Sequence, residues 1–495
     1  MLIQNNQKDL LKGAAANLLG FVIRLGARLP FLFVVALLYE KEIFGQYLFA
    51  VTSVETLTTI ILFGLRRTLF HFLHDDLARG DRTGVYNSIL TAIMICAGIG
   101  AMIIIPIYLW KDVLFQFLPH DMARGVFIIL PAALLYAFTE IFLTATRAAR
   151  KMRYEVTAKS IVEPYVLLIF SAGLYFLGHV ALGLYIAYWG MIISIFIYAL
   201  YAFGKVYEKD IRVWRGFSLA RMKEMITFST PTAAYDFIGY LTLHIDIYFL
   251  AVIVSPRALG IYGIALQIVT IIKKIRQSFD PILEPVISQV VKQSSMQNVS
   301  DELSRVSYWI FSLQSLIFTL LIFYGNSLLG LFDATGDKAG LTLLFLIGAV
   351  IFQGSLGINE LIFLYKKPSI NPILSFGTLL FHGVFCYFMS LKFGILGAAI
   401  SLLVSFSVTE AIRLVLVKYF FNIFPLKVTI LKPLVMSGIL FGYLFLLSSL
   451  IELQSALGLF FGIIGGLVVY FFAFIMIAQK EEKYTLMKKL MLKKS

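Results

Sequence analysis

Fourteen stretches of about 20 predominantly apolar residues run along this 495-residue chain, and no other feature narrows its fold so far. They lie at 14–38, 44–65, 86–109, 124–146, 157–177, 180–203, 226–254, 258–278, 306–331, 341–365, 370–391, 394–417, 430–450 and 457–478. A helix of about that length crosses the hydrocarbon core of a bilayer. None of the stretches alternates apolar and polar residues as a membrane β-strand does, so each reads as a helix. The connections at 39–43 and 392–393 leave room only for an antiparallel return. Composition agrees: 60% of residues are hydrophobic and 14% charged, where a soluble domain carries roughly a quarter. The polar start MLIQNNQKDLLK and the arginines behind it lack a small-residue cleavage site, so the first stretch is expected to be a membrane helix and not a signal peptide.

The 42 Lys and Arg residues set the orientation. With the N-terminus inside, 33 fall on the cytoplasmic side and six on the outer side (Lys41, Lys111, Arg124, Arg257, Lys338, Lys392), leaving Arg24, Arg28 and Arg413 within spans. Both termini are therefore expected in the cytoplasm, in the inner (cytoplasmic) membrane of the cell. The net charge of +14 is topogenic, and no soluble basic domain exists to bind nucleic acid. Cys96 and Cys386 both lie in apolar runs and indicate neither a disulfide framework nor a metal site.

The chain repeats itself. Ala36, Gly45, Tyr47 and Ala50 fall on Ala251, Gly260, Tyr262 and Ala265 at an offset of 215, and Lys151 falls on Lys366 at the same offset. Gly183 falls on Gly397 at 214. The expected organisation is an all-α integral membrane protein of two pseudo-symmetric six-helix bundles around a central cavity, plus two C-terminal helices. In residues this gives a lobe at 1–204, a cytoplasmic linker at 205–225, a second lobe at 226–418, added helices at 419–478 and a basic cytoplasmic tail at 479–495.

An arginine-bearing first helix, "LLYEKEIFGQYLFA", its echo "DIYFLAVIVSPRALGIYGIA", "KFGILGAAIS" and the count of fourteen helices together resemble one family. It is the polysaccharide transporter (repeat-unit, or O-antigen, flippase) branch of the multidrug/oligosaccharidyl-lipid/polysaccharide exporter superfamily. The resemblance implies two bundles that rock between inward- and outward-open states. It further implies that they carry a polyprenyl-pyrophosphate-linked oligosaccharide across the membrane for surface polysaccharide biosynthesis. The implied partners are that lipid-linked substrate, the bilayer and the polysaccharide polymerase machinery, with the transporter itself a monomer. No cofactor is implied, and coupling to H+, Na+ or the membrane potential stays open. No nucleophile elbow, phosphate loop or metal-ligand spacing marks an enzyme. The alternatives are a cation-coupled multidrug exporter of the same superfamily and, more weakly, a membrane polysaccharide polymerase.

The intramembrane charges are the candidate site residues. Arg24 and Arg28, four apart on one helix face, are read as the ligands of the substrate pyrophosphate, which their planar forks suit. The competing reading pairs them with a carboxylate such as Glu55, Glu140 or Glu163, or lets Arg24 snorkel to the surface. Pro30 is expected to kink this helix. Asp236, His244 and Asp246 share the seventh span, where they are counter-ions for the arginines, a proton or cation coupling site, or residues at the outer mouth. No zinc site is expected, because the i,i+4 His pairing is missing and no other His is near in sequence. Glu410 and Arg413, three apart, are expected to neutralise each other. The prolines of "KKIRQSFDPILEPVISQVVKQ" are expected to end the eighth span and begin an amphipathic surface segment.

Overall fold

A computed structural model describes residues 23–477 except 115, 117–118, 208–217, 294–295 and 337. The start of the first predicted span, residues 208–217 of the 205–225 linker and the tail at 479–495 lie outside the described residues. Every predicted stretch has a helical counterpart. In chain order these are α1 (23–37), α2 (Lys41–Leu62), α3 (Leu65–Ala78), α4 (Arg82–Leu109), α5 (His120–Ile129), α6 (Ala132–Ala148), α7 (Glu163–Phe176) and α8 (Val180–Tyr207). They continue with α9 (Leu219–Thr242), α10 (Ile245–Ile253), α11 (Pro256–Gln293), α12 (Met296–Leu331), α13 (Ala339–Ser355), α14 (Glu360–Lys366) and α15 (Ile370–Phe393). The last are α16 (Ile395–Phe421), α17 (Lys432–Leu450) and α18 (Gly466–Ile477). Among the described residues, eleven helices are long and apolar enough to cross a membrane, and two bent pairs pass that test together.

The bends have local causes. Pro131 stands between α5 and α6, which meet at 45°. α9 and α10 meet at 46° across Leu243 and His244, and the His244 ring stacks on Tyr240 with centroids 4.2 Å apart. α1 runs through Pro30 without interruption. The eighth span departs from expectation: α11 continues for 38 residues, past 278 and through both prolines. Pro281 and Pro285 are four apart, so the missing N–H donors fall on one face, which bends a helix without ending it.

By contact the chain forms two compact units, Met1–Ile264 with Ser375–Ala398, and Ala265–Leu374 with Ala399–Ser495. In the first, Leu143, Ala158, Ile195 and Ala199 form a buried apolar cluster against Phe142, Val162 and Tyr198. In the second, the two C-terminal spans pack on α12 through Tyr308, Tyr324, Met436, Leu440, Tyr470 and Phe474.

The repeat is also visible as contact inside the first unit. A Cβ on Gly45 would lie 1.9 Å from the Pro256 carbonyl oxygen, and one on Gly260 would lie 2.2 Å from that of Lys41. Residues 41 and 256, like 45 and 260, differ by the repeat offset of 215, so the two contacts are reciprocal. Glu42 and Arg257, also 215 apart, approach to 3.9 Å, and a Cβ on Gly263 would meet Leu48, its own equivalent. Equivalent residues touch one another only beside a two-fold axis. The start of α11 therefore crosses α2 at a pseudo-two-fold contact, and only glycine lets the backbones come so close.

Candidate functional site

The sequence-predicted charges of the first lobe gather around a distorted turn. Pro164 has no N–H for the carbonyl of residue 160, and the helix relaxes into a π-turn at Ala158–Val162 ahead of α7. That turn carries Lys159 and Ser160. α1 is anchored beside the same span, because the Tyr165 hydroxyl donates to the Ile23 carbonyl (3.1 Å) and that of Tyr39 donates to the Ser171 carbonyl (2.8 Å). The anchoring brings the Arg24 guanidinium to 3.5 Å from the Ser160 hydroxyl.

The carboxylates proposed as partners for the arginines are held by other groups. Glu140, which is buried, receives Lys159 Nζ at 2.5 Å and Arg66 Nε at 3.1 Å. The same Nζ lies 3.3 Å from Glu163, donates to the Tyr136 hydroxyl at 2.5 Å, and sits 4.2 Å from the centroid of that ring. Glu55 accepts from the Tyr240 hydroxyl at 2.8 Å. Asp236 pairs with Arg67 at 3.2 Å. Arg24 keeps a buried Nε with no hydrogen-bond partner among the described residues. Arg28 is exposed, and no ion pair or hydrogen bond engages it among the described residues.

Arg66 and Arg67 owe their place to a break. Phe63 and Gly64 take left-handed backbone (φ 46° and 70°), where α2 ends and α3 begins. A Cβ on Gly64 would lie 2.8 Å from the Ala233 nitrogen, so α9 also requires glycine here. Two cations then occupy the first turn of a helix, where the dipole disfavours them. Glu140 and Asp236 offset that cost. Ser229 ties α9 to α3 by donating to Thr68 at 2.8 Å.

Not every candidate joins this cluster directly. His244 reaches it through Tyr240, whose carbonyl its Nδ1 contacts at 2.8 Å. The bend at His244 means that Asp236 and His244, eight residues apart, do not lie along one straight helix. Asp246 is buried, accepts from the Ile247 N–H at 2.9 Å, and is bound by the Tyr262 hydroxyl. Sequence reasoning assigned no role to Lys159, Arg66 or Arg67, which it counted as topogenic charge. The available signal was Lys159 four residues ahead of Glu163 at the mouth of an apolar run. Among the described residues no group of His, Cys, Asp and Glu is arranged to hold a metal ion.

The arrangement is an internal salt-bridged platform with guanidinium groups left over at its edge. Five cationic side chains (Arg24, Arg28, Arg66, Arg67, Lys159) stand among four carboxylates (Glu55, Glu140, Glu163, Asp236). Guanidinium groups have the charge and the planar donor geometry to hold an anion by bidentate hydrogen bonds.

A family model described as "Polysaccharide biosynthesis protein" matches residues 10–291. A curated relative from Haloferax volcanii, described as the probable low-salt glycan biosynthesis flippase Agl15, is 21% identical over 259 residues. The match covers 51% of this chain and 54% of the relative, so the chain spans about half the length of the relative it matches. Among solved structures, the lipid II flippase MurJ in an inward closed conformation is similar with a TM-score of 0.73. That likeness is 13% in identity and covers 93% of this chain and 98% of the other. An inward-facing multidrug resistance MATE family transporter of the MOP superfamily gives a TM-score of 0.65 at 13% identity, covering 81% and 98%. At such identities the likeness is one of fold: the chain is a multi-pass helical membrane protein built as these transporters are.

Proposed function

Because this chain belongs to the polysaccharide biosynthesis protein family, we propose that it is a flippase that carries a polyprenyl-pyrophosphate-linked oligosaccharide across the cytoplasmic membrane. It works by alternating access, with both termini in the cytoplasm, and serves surface polysaccharide assembly. It is a transporter and not a catalyst. The observation that carries the reading is Arg28, an exposed guanidinium on a membrane helix that no ion pair or hydrogen bond engages among the described residues. A guanidinium facing hydrocarbon is costly, so this one faces water or an anion. Of the carboxylates around it, Glu140, Glu163 and Asp236 are paired with Lys159, Arg66 and Arg67, and Glu55 accepts from the Tyr240 hydroxyl. A pyrophosphate supplies paired oxygens that match the planar forks of Arg28 and Arg24.

The test is export of surface glycan by cells that depend on this chain, read beside its abundance in the membrane. Arg28→Lys keeps the charge without the fork and is expected to retain partial export, whereas Arg28→Ala is expected to lose most of it at normal abundance. Full export by well-expressed Arg28→Ala removes the arginine from the site. Proton-driven ethidium efflux by the wild-type chain would instead support the multidrug-exporter alternative, whose cationic substrates fit this set of cations poorly.

A further inference from the structure

Each repeat leaves an apolar face of one helix exposed, and cations gather where that face ends. On α8 the exposed side chains Ile193, Ile197, Leu200 and Tyr201 line one face, and exposed Lys205 follows one turn later. On α16 the exposed face is Val408, Ile412, Val415 and Tyr419, with exposed Lys418 beside its end. Tyr201 and Tyr419 are 56% and 79% exposed, so neither ring is packed away by the protein. Gly183 and Gly397 set the offset between these two helices at 214, which places Tyr201 on Val415 and Lys205 on Tyr419. The pattern recurs although the residues do not. The charged pair within α16, Glu410 and Arg413, is buried and closed on itself at 2.5 Å as its spacing predicts, so it adds nothing to that face.

The cations are set on aromatic rings. In the first unit Lys205 Nζ lies 6.0 Å from the centroid of Tyr201, whose ring is 6.3 Å from that of Tyr198. Tyr198 hydrogen-bonds to Thr157 and faces Arg153 and Tyr154. The Arg153 guanidinium donates to the Tyr154 hydroxyl at 3.0 Å and lies 4.8 Å from the centroid of that ring. Arg150 and Lys151, both exposed, stand in the turn just ahead. In the second unit Lys367 Nζ lies 3.7 Å from the centroid of Phe420, whose ring is 5.1 Å from that of Tyr419. Exposed Lys366, which falls on Lys151 at the offset of 215, stands next to it. A ring beneath a cation fixes its place and leaves N–H donors for a further acceptor. Among the described residues no carboxylate pairs with any of these cations. Glu155, the acid nearest in sequence to the first group, is held by Arg147 at 3.2 Å.

These two features together select the occupant. Exposed hydrocarbon on a membrane helix accepts an acyl chain, and clustered cations without a facing acid accept an anion. From Ile193 to Tyr201 the helix rises about 12 Å, and from Val408 to Tyr419 about 17 Å. One leaflet of hydrocarbon is roughly 15 Å deep, so each face has the length of one lipid chain. A zwitterionic headgroup would bring its own ammonium against the cations, and a net-negative headgroup does not. We propose that each repeat holds one anionic phospholipid of the membrane, its chain along the exposed face and its phosphate among the cations at the end. Snorkelling accounts for a lysine at the end of a span, but not for cations seated on rings with no facing acid in both repeats. Neither site uses Arg24 or Arg28, and neither rests on the flippase reading.

The test titrates the full-length protein, in a neutral detergent, with phosphatidylglycerol and separately with phosphatidylcholine of the same chains. Native mass spectrometry counts the lipids bound. Two phosphatidylglycerols are expected to bind at least tenfold more tightly than any phosphatidylcholine. Arg153→Gln/Lys205→Gln should lose one of them and Lys366→Gln/Lys367→Gln the other, at about fivefold per cation. Lys111→Gln/Arg124→Gln removes the same charge from exposed residues at the opposite ends of the spans and should leave both bound. All six residues are exposed, so each variant is expected to keep the size-exclusion profile of the wild type. Equal binding of the two phospholipids, or an equal loss in the Lys111/Arg124 variant, reduces the effect to general charge attraction and overturns the proposal. Displacement of both phosphatidylglycerols by an equal concentration of decaprenyl phosphate would assign the faces to a polyprenyl carrier, and that also overturns it. Glycan export plays no part in this readout, so failure of the flippase reading and failure of this one are told apart.

Discussion

At the scale of single residues, the question posed by two arginines in a membrane helix is answered by what their neighbours do. Glu140 and Glu163 are plausible counter-ions for Arg24 by sequence, yet Lys159 reaches both and Arg66 reaches the first. Lys159 is the keystone because a π-turn redirects it, and a π-turn is not visible in spacing counted at 3.6 residues per turn. Glu140→Gln leaves the buried Lys159 ammonium with Glu163 alone. Breaking a buried pair from one side costs about 3–5 kcal/mol, and a loss of this order is expected in detergent unfolding of the purified protein. Glu140→Gln/Lys159→Gln, which removes both charges, should recover at least half of it. A single variant as stable as the wild type would show that Glu163 alone suffices for Lys159.

The elements are held by close backbone approach and by polar ties. Gly45 of α2 and Gly260 of α11 meet reciprocally, so a methyl group on either drives into a carbonyl that cannot move alone. Gly45→Ala and Gly260→Ala are each expected to destabilise by about 1–3 kcal/mol, as overpacking does. Gly98→Ala is the contrast: nothing lies within 4 Å of its added Cβ, and a gain of about 0.5–1 kcal/mol is expected in mid-helix. Equal effects at all three positions would deny the contact. A second tie joins α9 to α3 and α4. The buried Asp76 accepts from Arg221 at 2.5 Å and from Ser88 at 2.9 Å, and the guanidinium lies 4.4 Å from the centroid of the Phe72 ring. Asp76→Ala should lower the unfolding midpoint more than Asp112→Ala, whose residue is exposed.

At the scale of the whole molecule, the charge asymmetry of 33 to six makes topology testable in intact cells. Single cysteines at Lys41, Arg257 and Lys338, in a background with Cys96 and Cys386 replaced, are expected to react with an impermeant reagent added outside. Those at Lys205 and Lys418 are expected to react only after permeabilisation. The reverse pattern would invert the chain. Lys41 and Arg257 should also behave alike, because each lies in the reciprocal contact of α2 with α11.

The amino-acid sequence alone determines where the apolar spans lie, since each must supply its own backbone hydrogen bonds in hydrocarbon and is read from local hydropathy. It also determines the repeat offset, and with it the glycines that later prove to touch. The Glu410–Arg413 pair was legible for the same reason, being three residues apart on one helix. Only the tertiary structure decided which charges meet. Arg66 and Arg67 were indistinguishable from loop charge until the left-handed break at Phe63 and Gly64 turned them toward Glu140 and Asp236. The prolines at 281 and 285 looked like an end to α11 and were not. Pairing between distant side chains depends on how helices are rotated and bent against one another, and local sequence does not encode those angles.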